Sequence, residues 1–394
     1  MDLTAAGRGL ASDTTERAAL ATAPITVRPW LPAAILFVAS LTFTIGSTWD
    51  IQWHSDVGPD TFFTLPHLFI YASAATAGFT GLTVILITSA AGRAGRRVDG
   101  ELGGPGIHVF GRTFTAPLGY MVAALGAASF LLYGLWDLWW HSLYGFDAII
   151  DSPPHIGLFL SSTVISVGTV IVFAAARAHT WGRLGALFAL AHLVTNSTVT
   201  ALAVQRLSNG TVRWTVAVTA FMVILMLIAG AGFSRWGATV TAVFGSATQA
   251  VFWWFAPWAA RAYADFVGLP MREHIRGIPS TPALIPFVLI PVGVVVDLLL
   301  RRGASGSGRI ARLLPALAGA VGGAIIAATS PVQSVLIYEA RFHLSALGHG
   351  HFGLASVIIA TTVAGAALGA LGGFLGWRFG EMLRLSAPSR EAIA

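Results

Sequence analysis

The feature that most constrains the fold of this chain is a series of ten long segments without a single charged residue. They are the segments 29–49, 61–92, 113–136, 152–176, 184–205, 214–234, 236–260, 277–296, 313–338 and 342–377. Each has about the 20 residues that an α-helix needs to cross the core of a bilayer. Only helices and closed barrels satisfy their backbone hydrogen bonds in lipid, and the alternation typical of barrel strands is absent. The sequence therefore predicts an all-α fold, a polytopic membrane helical bundle of about ten transmembrane helices.

The few charged residues agree with this fold and indicate its topology. Only 10% of the 394 residues are charged, against about a quarter in soluble domains. All 23 basic residues are arginines. Twelve of them fall at alternate ends of the predicted helices, as expected for the cytoplasmic side: Arg93, Arg96, Arg97, Arg177, Arg183, Arg235, Arg301, Arg302, Arg309, Arg312, Arg378 and Arg384. We expect a multi-pass protein of a bacterial cytoplasmic membrane with both termini in the cytoplasm. The loops 50–66 and 141–154 contain no arginine and are expected outside. The basic pI then reflects topology, and no nucleic-acid partner is expected.

Four regions follow from the distribution of these segments. Residues 1–28 are predicted to be a disordered cytoplasmic segment, 29–180 a metal-binding four-helix repeat, 181–384 a six-helix membrane region and 385–394 a cytoplasmic tail. The connection 91–113 is expected to be a solvated loop because it is rich in glycine and charge. The seventh helix is expected to end before Arg261.

Two stretches within the first four helices carry the same signature, 87 residues apart. The first comprises Trp49, Asp50, Trp53, His54, Ser55, Gly58, Asp60, Pro66 and His67. The second comprises Trp136, Asp137, Trp140, His141, Ser142, Gly145, Asp147, Pro154 and His155. The nine residues recur in order, with one residue inserted before the final pair. Each stretch joins two predicted helices, so the first four helices are predicted to be a tandem repeat of helical hairpins.

Each copy of the signature offers a set of metal ligands. Asp50 and His54 are four residues apart, so both side chains lie on one face at the end of the first helix. His67 starts the next helix, and the hairpin returns its imidazole to that face. The second copy repeats the set with Asp137, His141 and His155. Two imidazoles and a carboxylate suit copper, iron or zinc, and the absence of cysteine excludes thiolate ligands.

Several further residues have two interpretations each. Asp60 and Asp147 are either extra ligands or acceptors for the distal N–H of a ligating histidine. A third metal site, or merely a group of interfacial side chains, is predicted from Glu339, His343, His349 and His351. His192 and Asn196 either line a substrate or proton path or form hydrogen bonds between helices. The tryptophans of the signature are expected in the belt where a membrane meets water.

Residues 30–180 resemble the membrane C subunit of the copper-dependent particulate methane and ammonia monooxygenases. The resemblance lies in the ligand spacings and in local text such as Asp60-Thr61, Pro66-His67 and Pro154-His155-Ile156-Gly157. In that subunit one site uses Asp, His and His, and a neighbouring site uses Asn, His and His; this chain has Asp137 at the Asn position. The resemblance implies one copper site at Asp50, His54 and His67, and a second at Asp137, His141 and His155. It also implies partner subunits, because the family works as a three-subunit complex.

The sequence thus predicts a copper-dependent membrane monooxygenase, or a subunit of one, with iron or zinc as alternative metals. Its substrates would be dioxygen and a small apolar molecule that reaches an outer-face site from the lipid bilayer. It would act with other monooxygenase subunits or as a homo-oligomer. The alternative is a copper or zinc transporter, or a metal-delivery membrane protein. A third interpretation is an assembly subunit in which the metal is structural.

Overall fold

The chain folds into a bundle of α-helices, as predicted. The computed structural model describes residues 28–96, 98–111, 113–145, 150–208, 210–273, 277–303, 309–338 and 353–386. Within these ranges ten α-helices occur, which we number α1 to α10. They are Trp30–Asp56, Leu65–Arg93, Leu118–Tyr144, Pro153–Ala175, Thr180–Thr200, Trp214–Phe233, Gly237–Val267, Leu289–Gly303, Arg309–Tyr338 and Leu354–Leu385. A 3₁₀ turn, Ala201–Leu207, extends α5.

Eight of these ten helices are long and apolar enough to cross a membrane, which makes the chain a multi-pass membrane protein. The other two are α7, which has 31 residues, and α8, which has only 15. The predicted end of α7 is wrong, because the helix continues to Val267 and carries Arg261, Tyr263 and Asp265 in its last turns. Charged residues at a helix end do not stop the helix, so a boundary drawn at the first charge falls short.

The connection between α2 and α3 is not the simple solvated loop that its composition predicts. It contains two antiparallel strands, β1 (Gly106–Val109) and β2 (Phe114–Pro117). The hydroxyl of Thr88 donates to the carbonyl of Thr115 over 2.6 Å, and Ser89 Oγ accepts from the Thr115 amide over 2.9 Å. The hairpin is therefore anchored to the end of α2.

The first four helices form two hairpins, α1 with α2 and α3 with α4, and each hairpin depends on a close approach at a glycine. A Cβ atom on Gly46 would lie 2.9 Å from the Pro66 carbonyl oxygen on α2. A Cβ atom on Gly126 would lie 2.7 Å from the Ile165 amide nitrogen on α4. The hairpins are thus tightly paired. In both, the loop between the helices lies at the same end of the bundle as the repeated signature.

Among the remaining helices, α9 and α10 pack against each other through a row of glycines. Gly319 and Gly323 of α9 face Gly365, Gly369 and Gly373 of α10, and a Cβ on Gly369 would lie 3.0 Å from Gly323 Cα. Small residues let two helices approach closely within a membrane. This half contacts the first hairpin mainly through α7, which packs against α1.

Candidate metal centres

The first copy of the signature brings four potential ligands together, in a cluster that we call the first site. Asp50 and His54 lie in the last two turns of α1, Asp60 lies in the following loop, and His67 lies in the first turn of α2. One nitrogen or oxygen of each residue lies within 4.8 Å of those of the other three. His67 Nε2 is 3.0 Å from Asp50 Oδ1, and His54 Nε2 is 3.1 Å from Asp60 Oδ2.

Hydrogen bonds fix the tautomer of one of these histidines. His67 Nδ1 lies 3.0 Å from the Thr61 carbonyl oxygen, which can only accept, so Nδ1 carries a proton. The other ring nitrogen, Nε2, then points its lone pair at the carboxylates unless it is protonated. A ligating histidine often donates its distal N–H to a backbone carbonyl in this way. The carbonyl of Thr61 therefore accepts the distal N–H of His67, which is one of the two roles that the sequence predicts for Asp60.

Asp60 instead faces the cluster directly. Its carboxylate is 4% exposed, and Oδ2 lies 3.4 Å from His67 Nε2 as well as close to His54. Oδ1 accepts a hydrogen bond from the Thr61 amide. Burial alone would raise the pKa of Asp60. The contact with His54 and the charge of His67 lower this pKa by more than burial raises it, so the pKa lies below its ordinary value. Asp60 is thus an anion within reach of a cation at this site.

The second copy forms a similar cluster, the second site, from Asp137, His141 and His155. Asp137 Oδ1 lies 3.4 Å from Nε2 of each histidine. His141 Nδ1 lies 2.9 Å from the carbonyl of Gly145, which again leaves Nε2 to face the carboxylate. Gly145 has a φ of +83°, a conformation that favours glycine, and α3 ends at this residue. The Gly145 carbonyl is thereby placed next to the His141 ring. Asp147 lies outside the described residues.

A buried carboxylate oxygen lacks a hydrogen bond in each cluster. Asp50 Oδ1 and Asp137 Oδ1 are inaccessible to solvent and accept no hydrogen bond within the described part of the chain. Each of these oxygens instead lies 3.0 to 3.4 Å from a histidine Nε2, and buried charges are usually paired or bound to metal. The donor sets therefore fit a divalent cation, with three described ligands at the second site and four at the first.

One cavity of about 60 Å³ connects the two sites. Asp50 and His67 lie on its wall from the first site, and Asp137 and His155 from the second. Most of the remaining lining is apolar and includes Phe43, Phe62, Ile70, Phe130, Leu158 and Phe159, and its polar members are Ser47 and Tyr71. The rings of Phe43 and Phe130 meet edge to face, with centroids 6.3 Å apart. The two sites thus share one small, mainly apolar and partly open cavity within the first four helices.

The tryptophans of the two copies have different surroundings. Trp49 and Trp53 are 8% and 1% exposed, and the indole of Trp53 donates to the Pro59 carbonyl over 2.8 Å. The expected place in an interfacial belt is therefore wrong for these two residues. Trp136 and Trp139 are 38% and 55% exposed, in agreement with that expectation. The repeat conserves the ligands but not what packs around them.

Among the other polar candidates, two residues of α5 are described and do not join these clusters. Glu339, His343, His349 and His351, the predicted third site, lie outside the described residues. His192 is buried on α5, where Nδ1 lies 2.8 Å from Thr44 Oγ1 and Nε2 lies 3.2 Å from the Asn196 amide nitrogen. The same amide lies 3.3 Å from Ser166 Oγ on α4. His192 and Asn196 thus form hydrogen bonds that join three helices.

No family model, no curated protein and no solved structure matches this chain.

Proposed function

We propose that the chain is a copper-dependent membrane monooxygenase, or a subunit of one, that hydroxylates a small apolar substrate with dioxygen. The observation that carries the proposal is the shared cavity: both His/Asp clusters border one mainly apolar cavity inside the bundle. A metal site that only stabilises the fold needs no such cavity. A site that acts on an apolar molecule needs one beside the metal, because the substrate has no polar group by which to be held.

The size of the cavity favours a small substrate. By the measure in which one water takes roughly 10–15 Å³, about 60 Å³ holds a molecule of only a few non-hydrogen atoms. The aromatic rings that line the cavity would exclude water and hold the substrate by packing alone. Such molecules concentrate in the bilayer, and α3 exposes Leu131, Leu132 and Leu135 at the surface that lipid contacts.

Copper is the metal that this proposal assigns to both sites. Asp50, His54, Asp60 and His67 would hold the ion of the first site, and Asp137, His141 and His155 that of the second. Imidazole and carboxylate ligands suit copper, whose redox chemistry supplies the means of activating dioxygen. The resemblance to the monooxygenase C subunit supports the same assignment. It also supports partner subunits, and the arginine distribution supports an outer-face site in a bacterial cytoplasmic membrane.

The experiment that tests the proposal uses the protein in native membranes or lipid nanodiscs. We expect bound copper, a cupric electron paramagnetic resonance signal, and oxygen consumption that requires both a reductant and a short alkane. The double variant His67→Ala/His155→Ala should lose the copper and the oxygen consumption together. Copper-loaded protein that consumes no oxygen with any reductant, donor subunits included, would contradict the proposal.

The alternative of a metal transporter requires a polar path across the bilayer. Below the first site, buried polar groups continue along α1 as far as Ser40, whose Oγ lies 3.5 Å from Thr169 Oγ1 on α4. The next buried residues towards the far end of these helices are apolar, namely Ala39 and Leu36 on α1 and Val170, Ile171 and Val172 on α4, and all are at most 3% exposed. A metal ion has no ligand there. This observation favours the enzyme, and metal uptake into proteoliposomes would favour the transporter instead.

A further inference from the structure

The loop between α7 and α8 contacts the end of α1 through the side chain of Gln52. This side chain is completely buried, two residues from both Asp50 and His54. Its Oε1 accepts a hydrogen bond from the Ser280 amide over 2.7 Å. Its Nε2 donates to Asp56 Oδ2 over 2.8 Å and lies 3.3 Å from the Ile278 carbonyl. Every polar atom of Gln52 is therefore used to join α1 to this loop.

Two further contacts hold the same helix end. The amide of Arg272 donates to the carbonyl of Asp56 over 2.8 Å, and its Nε donates to the carbonyl of Val57 over 3.3 Å. The hydroxyls of Ser55 and Ser280 lie 2.8 Å apart. Carbonyls at the end of a helix have no partner within the helix. Here the loop supplies partners, so the last turn of α1 is held in one conformation.

The start of α2, which carries His67, is tied to the same half of the protein. Tyr263 of α7 accepts a hydrogen bond from the Leu65 amide over 3.3 Å. Its ring packs against Trp53, with centroids 4.8 Å apart. Both ligand-bearing helix ends of the first site therefore rest on α7 and the loop that follows it.

The second site is built differently at the corresponding positions. Trp139 occupies the place of Gln52 in the repeat and is 55% exposed, whereas Gln52 is fully buried. Trp136 is 38% exposed, whereas its counterpart Trp49 is 8% exposed. The repeat thus provides an internal comparison between a ligand set that is held by the C-terminal half and one whose equivalent face is exposed.

We propose that Gln52 is a positioning residue for the first metal site, and that the six C-terminal helices serve this site through it. The inference rests on the metal binding in the proposed function, but not on the reaction. Fixing the last turn of α1 sets the directions of Asp50 and His54 before a metal arrives, which lowers the entropy that binding would otherwise cost. Groups that orient metal ligands typically change metal affinity by about 10- to 100-fold when removed.

The test measures each site alone in the full chain. His155→Ala leaves the first site, and His67→Ala leaves the second. Gln52→Met, which keeps the volume but removes the hydrogen bonds, is added to each, and cupric ion is titrated with electron paramagnetic resonance as the readout. We expect the affinity of the first site to fall about tenfold or more, with a changed spectrum, while the second site keeps its affinity and spectrum.

Two further variants complete the design. Trp139→Met is the matched change in the second copy and should leave the first site unaltered. Arg272→Ala removes the side-chain bond to Val57 and a positive charge near Asp56, so it should weaken the first site mildly even where Gln52→Met fails to fold. An unchanged first site in both Gln52→Met and Arg272→Ala, or an equal loss at both sites, would overturn the positioning role. Absence of copper from the His155→Ala parent would refute the metal site itself, which is a separate result.

Discussion

His67 Nε2 lies 3.0 Å from Asp50 Oδ1, yet Asp50 Oδ1 accepts no hydrogen bond within the described part of the chain. The two atoms form an ion pair when His67 Nε2 is protonated, and a metal ion can take the place of that proton. The Thr61 carbonyl already takes the proton of His67 Nδ1. A cation between the two atoms would satisfy both, and this relationship leads to the first prediction.

Removal of one histidine should empty one site only. His67→Ala is expected to reduce bound metal from two ions per chain to one, because the first site then keeps a single imidazole whereas the second site keeps both of its imidazoles. His155→Ala should have the same effect at the other site. Metal content of the purified protein, measured by mass spectrometry, checks both. His179→Ala is the control, since His179 contacts Glu101 away from both clusters. Loss of all metal in either single variant would show that the sites are not independent.

Replacement of Asp60 tests whether this residue is an additional metal ligand at the first site. Asp60→Asn keeps the shape of the side chain but removes the negative charge that lies 3.1 Å from His54 Nε2. We expect the affinity of the first site for cupric ion to fall about tenfold or more, with the second site unchanged. Isothermal titration of His155→Ala with and without Asp60→Asn measures this. Equal affinities would place Asp60 outside the coordination sphere.

The cavity should control the size of the bound apolar molecule. Gly134 lines it, and a Cβ atom at this position would meet no atom closer than Leu158 Cδ2 at 4.0 Å. Gly134→Ala should therefore fold normally, and Gly134→Leu should fill the cavity. Xenon, which binds in dry apolar cavities, is the probe. We expect xenon binding by nuclear magnetic resonance in the wild type and in Gly134→Ala, but not in Gly134→Leu, with copper content equal in all three.

The polar contacts of His192 should contribute to stability and not to metal binding. Thr44→Val removes the hydroxyl that lies 2.8 Å from His192 Nδ1. Hydrogen bonds between membrane helices contribute about 0.6 kcal/mol on average, so we expect a loss of free energy of unfolding of about that size. Denaturation in mixed micelles measures it. A loss of copper or of proton-dependent activity without a change in stability would indicate that His192 lines a substrate or proton path.

The sequence was sufficient to predict the helical bundle and the residues that gather in the two His/Asp clusters, because both leave regular patterns. Charge-free segments indicate membrane helices, and a repeated signature indicates residues that have the same function in each copy. The helix ends were less predictable: α1 continues through Asp50 and His54 to Asp56. Segments defined by the absence of charge stop too early, because Asp50 and Asp137 of the His/Asp clusters lie within the helices.

The surroundings of the sites could not be predicted, since they depend on contacts between distant parts of the chain. Gln52 lies between Asp50 and His54 and gives no sign of its loop partners Ser280 and Ile278, which are more than 200 residues away. One signal was present: within an otherwise repeated stretch, Gln52 corresponds to Trp139. A polar residue that replaces an aromatic one in a repeat indicates a contact that the other copy lacks. Burial of Trp49 and Trp53 beneath α7 follows from the same contact.

Both His/Asp clusters lie where α1 and α3 end and where α2 and α4 begin, so they open towards the same aqueous compartment. His54 is 23% exposed there, whereas apolar packing closes the opposite direction. In sealed vesicles, a chelator that cannot permeate lipid would strip only those molecules whose loops face it. Because both clusters lie at one end of the bundle, the fraction of metal released to the chelator measures the fraction of molecules inserted with that end facing outwards.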